Sequence, residues 1–180
     1  MKFIVEALWS GGLTMELIGA GYFYALAALS MAFVGFTSVV VVLYQSTGKQ
    51  LSTFHILLTR LFVELGLMAT AFAMLAPTLA VSGFQIDHVW RISSAIMLFT
   101  LVPWLISYPF RRRAASPIGG LPLRWYIMTG LGLGVVTFLV LNMTGWVVNP
   151  GPGPLAIATV FVLSYAAVAY IGTYSLFTRA

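Results

Sequence analysis

Arg60 and Glu64 stand four residues apart inside an otherwise apolar run, STFHILLTRLFVELG. On a helix that spacing puts both side chains on one face, within reach of each other. An ionised group among lipid tails costs several kcal/mol unless it is paired, hydrated or neutralised. A pair in such a place therefore either does work or locks something. The functional reading is a path or site for an ion, a proton or a polar substrate, lined by His55, Thr59, Arg60 and Glu64. The structural alternative is a local pair that fixes the helix against its neighbours or a partner protein. In a third reading Arg60 only stretches to the membrane edge. Apolar residues could pack such a position as well as an ion pair does, which tips the balance toward function. The acidic residues are Glu6, Glu16, Glu64 and Asp87. Glu64 alone falls well inside an apolar run, so a multi-step proton relay lacks a second carboxylate.

The other chemistry-bearing groups are sparser. Asp87, His88 and Arg91 lie together in SGFQIDHVWR. A zinc site needs three or four ligands, and the remaining histidine, His55, is expected at the opposite membrane face. These residues read as a solvated loop, and no metal is expected. There are no cysteines, which removes disulfides, thiolate metal sites and cysteine nucleophiles. No phosphate-binding glycine loop is present. Paired carboxylates and a Ser-His arrangement are also missing, so an enzyme acting on lipid or quinone is the minor reading, and no cofactor is expected. Arg111, Arg112 and Arg113, with Arg124, read as a stop-transfer cluster touching anionic lipid headgroups. Tyr165, Tyr170 and Tyr174, with Trp104, Trp125 and Trp146, suit interface belts or helix packing. Basic residues do not interleave with aromatics as in a nucleic-acid surface, so nucleic acid is not an expected partner.

The elements that must carry these groups follow from composition. Of 180 residues, 61% are hydrophobic and 7% charged, against roughly a quarter charged in a soluble domain. A globule of this size cannot bury that much apolar surface, whereas lipid can surround it. The expected fold is all-α, a polytopic membrane helical bundle of about five transmembrane helices. Its spans should cover about 17–44, 54–81, 92–108, 125–148 and 155–177. Residues 1–16 read as an interfacial arm with Trp9 near the headgroups, and not as a signal peptide, because Glu6 and Glu16 interrupt the apolar run. Ser52 or Thr53 can cap the second span. Pro77 can kink or finish that span, Pro103 should bend the third, and Pro109 with the arginines should end it. The NPGPGP run reads as a tight turn.

The basic residues set a direction. Lys49, Arg111–Arg113, Arg124 and Arg179 fall on one side if the spans alternate, which makes that side cytoplasmic and the N-terminus external. A bacterial cytoplasmic membrane is the expected home. No internal repeat is visible, which disfavours an inverted-repeat transporter. Gly21, Ala25, Ala28, Ala32 and Gly35 form a narrow small-residue face on the first span. Gly130 and Gly134 form another on the fourth, and Ala169, Gly172 and Thr173 a third on the last. Such faces let helices approach closely, within the chain, in a homo-oligomer or in a larger complex. Two functions fit: a small channel or transporter subunit with its polar path near Arg60 and Glu64, or a non-catalytic accessory or assembly subunit of a membrane complex.

Overall fold

A computed structural model describes residues 17, 19–46, 53–115, 123–147 and 149–177. Among them are five α-helices and no strands. They are α1 Ala20–Ser46, α2 Thr53–Val81, α3 Ile86–Ala115, α4 Leu123–Thr144 and α5 Pro152–Phe177. The first four are long and apolar enough to cross a membrane, and α5 contributes the apolar stretch Pro152–Val168. The expected interfacial arm, Ser52, Lys49, the 116–122 linker and Arg179 lie outside the described residues.

Lipid explains why helices form here, since only a helix satisfies each backbone group from within its own segment. The hydroxyls follow the same rule. Ser38, Thr78, Thr100 and Thr137 face outward, yet each donates to the carbonyl four residues back at 2.7–3.0 Å. None of the four needs water. Phe36, Val42, Phe99, Phe110 and Leu133 are equally outward, an apolar coat that belongs in lipid.

Contacts between distant residues show that the helices run up and down. Phe23 near the start of α1 stacks on Trp90 near the start of α3. Phe62 early in α2 meets Tyr170 late in α5. Ser94 early in α3 is bonded to Asn142 late in α4. Helices α2, α3, α4 and α5 close a ring, each packed against the next, and α1 leans on the outside against α2 and, more lightly, α5. The ring is filled by Phe62, Leu65, Ala69, Phe72, Met97, Leu101, Leu139, Leu155 and Val162, each almost sealed from the surface. On α1 the side turned inward is Phe23, Leu26, Ala27, Ser30 and Thr37, at helical spacing. At Gly66 the two backbones come close: a Cβ there would run into the Val34 side chain.

In α3, α4 and α5 the helix ends differ from the sequence expectation. Helix α3 begins at Ile86 and runs through Pro103 and Pro109 to Ala115, where the sequence suggests residues 92–108. A proline removes one backbone hydrogen bond, and in an apolar setting the remaining ones still favour helix over open chain. Helix α4 stops at Thr144, before 148, because Gly145 takes φ +66° and donates to the Leu141 carbonyl at 2.9 Å, an αL cap. Helix α5 starts at Pro152 inside the predicted turn, since a first-turn proline lacks only an N–H that would have no helical partner.

Candidate functional site at the basic end

The extended α3 changes what its arginines can do. Met97, Leu101, Trp104, Tyr108 and Arg111 fall on one helical stripe, and that stripe packs inward. Arg111 is the last member, where the stripe leaves the apolar layer. Residues 92–110 carry no charge and span about 28 Å at 1.5 Å per residue, close to the ~30 Å hydrocarbon thickness. Arg91 and Arg111 bracket that layer.

Glu64 of α2 meets Arg111 across the α2–α3 contact. The Arg111 Nη1 donates to Glu64 Oε2 at 2.7 Å, and Nη2 donates to Oε1 at 2.8 Å. This is a bidentate fork, the strongest geometry for this pair. Arg60, one turn back on α2, donates its Nε to Oε1 at 2.7 Å. The pairing that spacing predicts is present, and it is the lesser half of the cluster. The exposures separate the roles: Arg60 has 72% of its side chain exposed, against 30% for Glu64 and 27% for Arg111. Arg111 binds from inside and Arg60 from outside. Leu58 and Leu61, which precede Glu64 on α2, already pack on Tyr108, which precedes Arg111 on the antiparallel α3, so Glu64 starts from deeper in the bundle and the two long side chains reach toward each other.

Beside the cluster sits a small core of Leu58, Leu61 and Tyr108, with Leu57, Trp104 and Trp125 against it. Trp104 stacks on Tyr108 at 6.1 Å and meets Tyr165 edge-on at 5.3 Å, so these aromatics pack helices together. Trp146 is exposed. The Trp104 indole nitrogen is buried with no hydrogen-bond partner among the described residues.

The other predicted residues divide as follows. Thr59 is half-buried on α2 beside Arg60. The side chains of His55 and Arg124 lie outside the described residues, as do those of Ala169, Gly172, Thr173 and Tyr174. Arg113 is exposed and Arg112 half-buried. Arg111, predicted as a headgroup contact, donates to Glu64 and keeps 27% of its side chain exposed. Asp87, His88 and Arg91 are exposed but belong to the first turns of α3, not to a loop. An acidic residue suits that helix start. Arg91 lays its guanidinium over Gly145, 2.9 Å from where a Cβ would stand. That position favours a cation, at the C-terminal end of α4. Among the described residues no three His, Asp or Glu side chains gather around a common point.

The small-residue faces point away from the bundle. Gly21, Ala25, Ala28, Ala32 and Gly35 are all exposed, as are Gly130 and Gly134. Nothing lies within 4 Å of a Cβ built on any of the four glycines. Among the described residues, packing within the chain does not use these faces.

One junction escaped the sequence reading. Asn142 of α4 is 2% exposed and makes three hydrogen bonds. Its Nδ2 donates to Ser94 Oγ at 2.8 Å and to the Gly151 carbonyl at 3.2 Å, and its Oδ1 accepts from the Gly151 N–H at 2.8 Å. The Gly151 N–H fixes which amide atom is the oxygen. One side chain thus ties together α3, α4 and the approach to α5. An asparagine within an apolar span is itself a signal for such a contact.

No protein-family model, curated protein or solved structure matches this chain. The chemistry of the site therefore rests on its geometry. A carboxylate engaged on both oxygens by two guanidinium groups makes a clasp between α2 and α3. For Glu64 to accept a proton or a passing ion, the Arg111 fork would first have to open.

Proposed function

We propose that this multi-pass helical membrane protein is a non-catalytic accessory or assembly subunit of a larger membrane complex. The observation that carries this reading is the Arg111 fork on Glu64, which commits the one acidic side chain of α2 to holding two helices together. The ring between the helices is packed with Leu, Phe and Ala side chains, so α2 turns its polar groups to the rim and not to a lumen. The outward small-residue faces of α1 and α4 suit contact with helices of other chains or a second copy. In the proposed topology the end with Arg60, Arg111 and Arg113 is cytoplasmic and the start of α1 is external, in a bacterial cytoplasmic membrane.

Mild-detergent extraction followed by native mass spectrometry tests the reading. Co-purification of a defined partner or a discrete oligomer is expected. A lone monomer, under conditions where other membrane complexes stay intact, would overturn it.

A channel or transporter subunit is the second reading. It is favoured by the partial exposure of Glu64 and Arg111, which leaves the clasp open to the aqueous rim. Liposome flux decides between them. Glu64→Gln abolishes flux if the clasp gates a path, and leaves any flux of the complex unchanged if the clasp only joins helices.

A further inference from the structure

Arg60 is an exposed cation placed by a neighbour. Glu64 takes its Nε at 2.7 Å, which uses one of the five N–H groups of the guanidinium. The same carboxylate is already forked by Arg111, so two positive charges share one negative charge and the cluster keeps a net positive charge. Arg60 also heads a stripe: Ile56, Arg60, Leu67, Ala71, Met74 and Thr78 are the exposed positions of α2 at helical spacing. Below the cation the stripe is apolar, with the small Ala71 in its middle and the Thr78 hydroxyl turned back onto its own helix.

We propose that Arg60 and this stripe bind one anionic phospholipid, with the phosphate on the Arg60 guanidinium and an acyl chain along Leu67, Ala71 and Met74. Two features point to a lipid and not to a passing anion: the excess positive charge and the apolar track that continues from it. Guanidinium groups pair well with phosphate oxygens, and Glu64 holds this one in place beforehand. The site is centred on Arg60, outside the arginine triplet that sequence alone would choose.

The test uses the whole protein in neutral detergent, titrated with phosphatidylglycerol, phosphatidylcholine or inorganic phosphate, and read by native mass spectrometry and thermal unfolding. Wild type should prefer phosphatidylglycerol to phosphatidylcholine by about tenfold and gain no stability from inorganic phosphate at matched concentration. Arg60→Gln should cut the preference about fivefold, whereas Arg113→Gln, which removes an equal charge from the same end, should change it less than about twofold. If Arg60→Gln does not fold, Arg60→Lys decides, with an expected loss of about two- to threefold. Equal losses at Arg60 and Arg113 would mean a diffuse basic surface and overturn the site. So would an undiminished preference in the Arg60 variants. Stabilisation by inorganic phosphate equal to that by lipid would overturn the lipid assignment in favour of a free anion.

Discussion

Two polar junctions tie α3 to its neighbours, one near each end, and they use opposite chemistry. At the basic end the junction is ionic, Arg111 on Glu64, with about 30% of each side chain open. At the other end it is neutral, Asn142 on Ser94 and Gly151, with Asn142 2% exposed. Lateral position separates them. Asn142 is enclosed by helices, where a charge would lose its hydration and need full compensation. The carboxylate stands on the flank between α2 and α3, where partial hydration makes an ion pair affordable and correspondingly less decisive. A neutral enclosed junction should thus hold more stability than a charged open one, although its individual bonds are weaker.

The largest expected effect comes from removing the enclosed junction. Asn142→Leu deletes three hydrogen bonds and leaves the Gly151 N–H without its acceptor. This donor is part-buried, and an orphaned donor costs about 1–3 kcal/mol, the upper end when it is sealed from water. The inter-helix bond to Ser94 adds roughly 0.6 kcal/mol by the average for membrane helices. We expect a loss of about 2–3 kcal/mol, seen as a fall in Tm of about 5–10 °C for a chain of this size, with little dependence on salt. A variant as stable as wild type would show that the amide is not what joins α3, α4 and α5.

The ionic junction should give less and respond to salt. Arg111→Gln is expected to cost about 1 kcal/mol, above an exposed surface pair and below a sealed one. Combined with Glu64→Gln in a double-mutant cycle, it should show a favourable coupling at low ionic strength that shrinks in about 0.5 M salt as screening shortens the reach of the charges. Zero coupling would reduce the fork to a crystal-like surface contact, and a coupling above the Asn142 effect would invert the comparison.

The two junctions also differ in how far the sequence announces them. Arg60 and Glu64 are legible because a four-residue spacing is local, and their hydrogen bond is present. Arg111 is not legible as the partner of Glu64. Pro109 reads as a stop, and without a helix through it Arg111 has no phase relative to Tyr108 and Leu101. Once α3 is continued to Ala115, the phase places Arg111 inward. The five helices, four of them long and apolar enough to cross a membrane, follow from composition, since lipid leaves helix as the solution for each apolar run. Which side of each helix turns inward does not. On α1 the small-residue face is easy to find, but the bundle uses the face with Phe23, Leu26 and Ser30, because Phe23 can reach Trp90 while the glycine face offers the ring nothing to fill it with. Asn142 is legible only as a polar intruder. That its partner is a backbone nine residues on depends on α4 ending at Thr144, which the Gly145 cap decides.

The smallest effects come from two adjacent serines and test whether bonding, not polarity alone, makes the enclosed junction. Ser93 and Ser94 are both fully buried on α3. Ser94 Oγ accepts from Asn142, while Ser93 Oγ has no hydrogen-bond partner among the described residues. Ser94→Ala should cost about 0.6 kcal/mol, because Asn142 keeps both bonds to Gly151. Ser93→Ala should be neutral or slightly stabilising, since it removes a buried hydroxyl that repays none of its desolvation. Side-by-side thermal unfolding measures the difference between two substitutions that delete the same atom from neighbouring positions. A clear loss at Ser93 would mean that its hydroxyl has a partner, such as an enclosed water, and that the polar junction extends further into the ring than Asn142 reaches. Equal neutrality at both would mean that the Gly151 backbone alone holds Asn142, making the amide a cap for the α4–α5 connection more than a tie to α3.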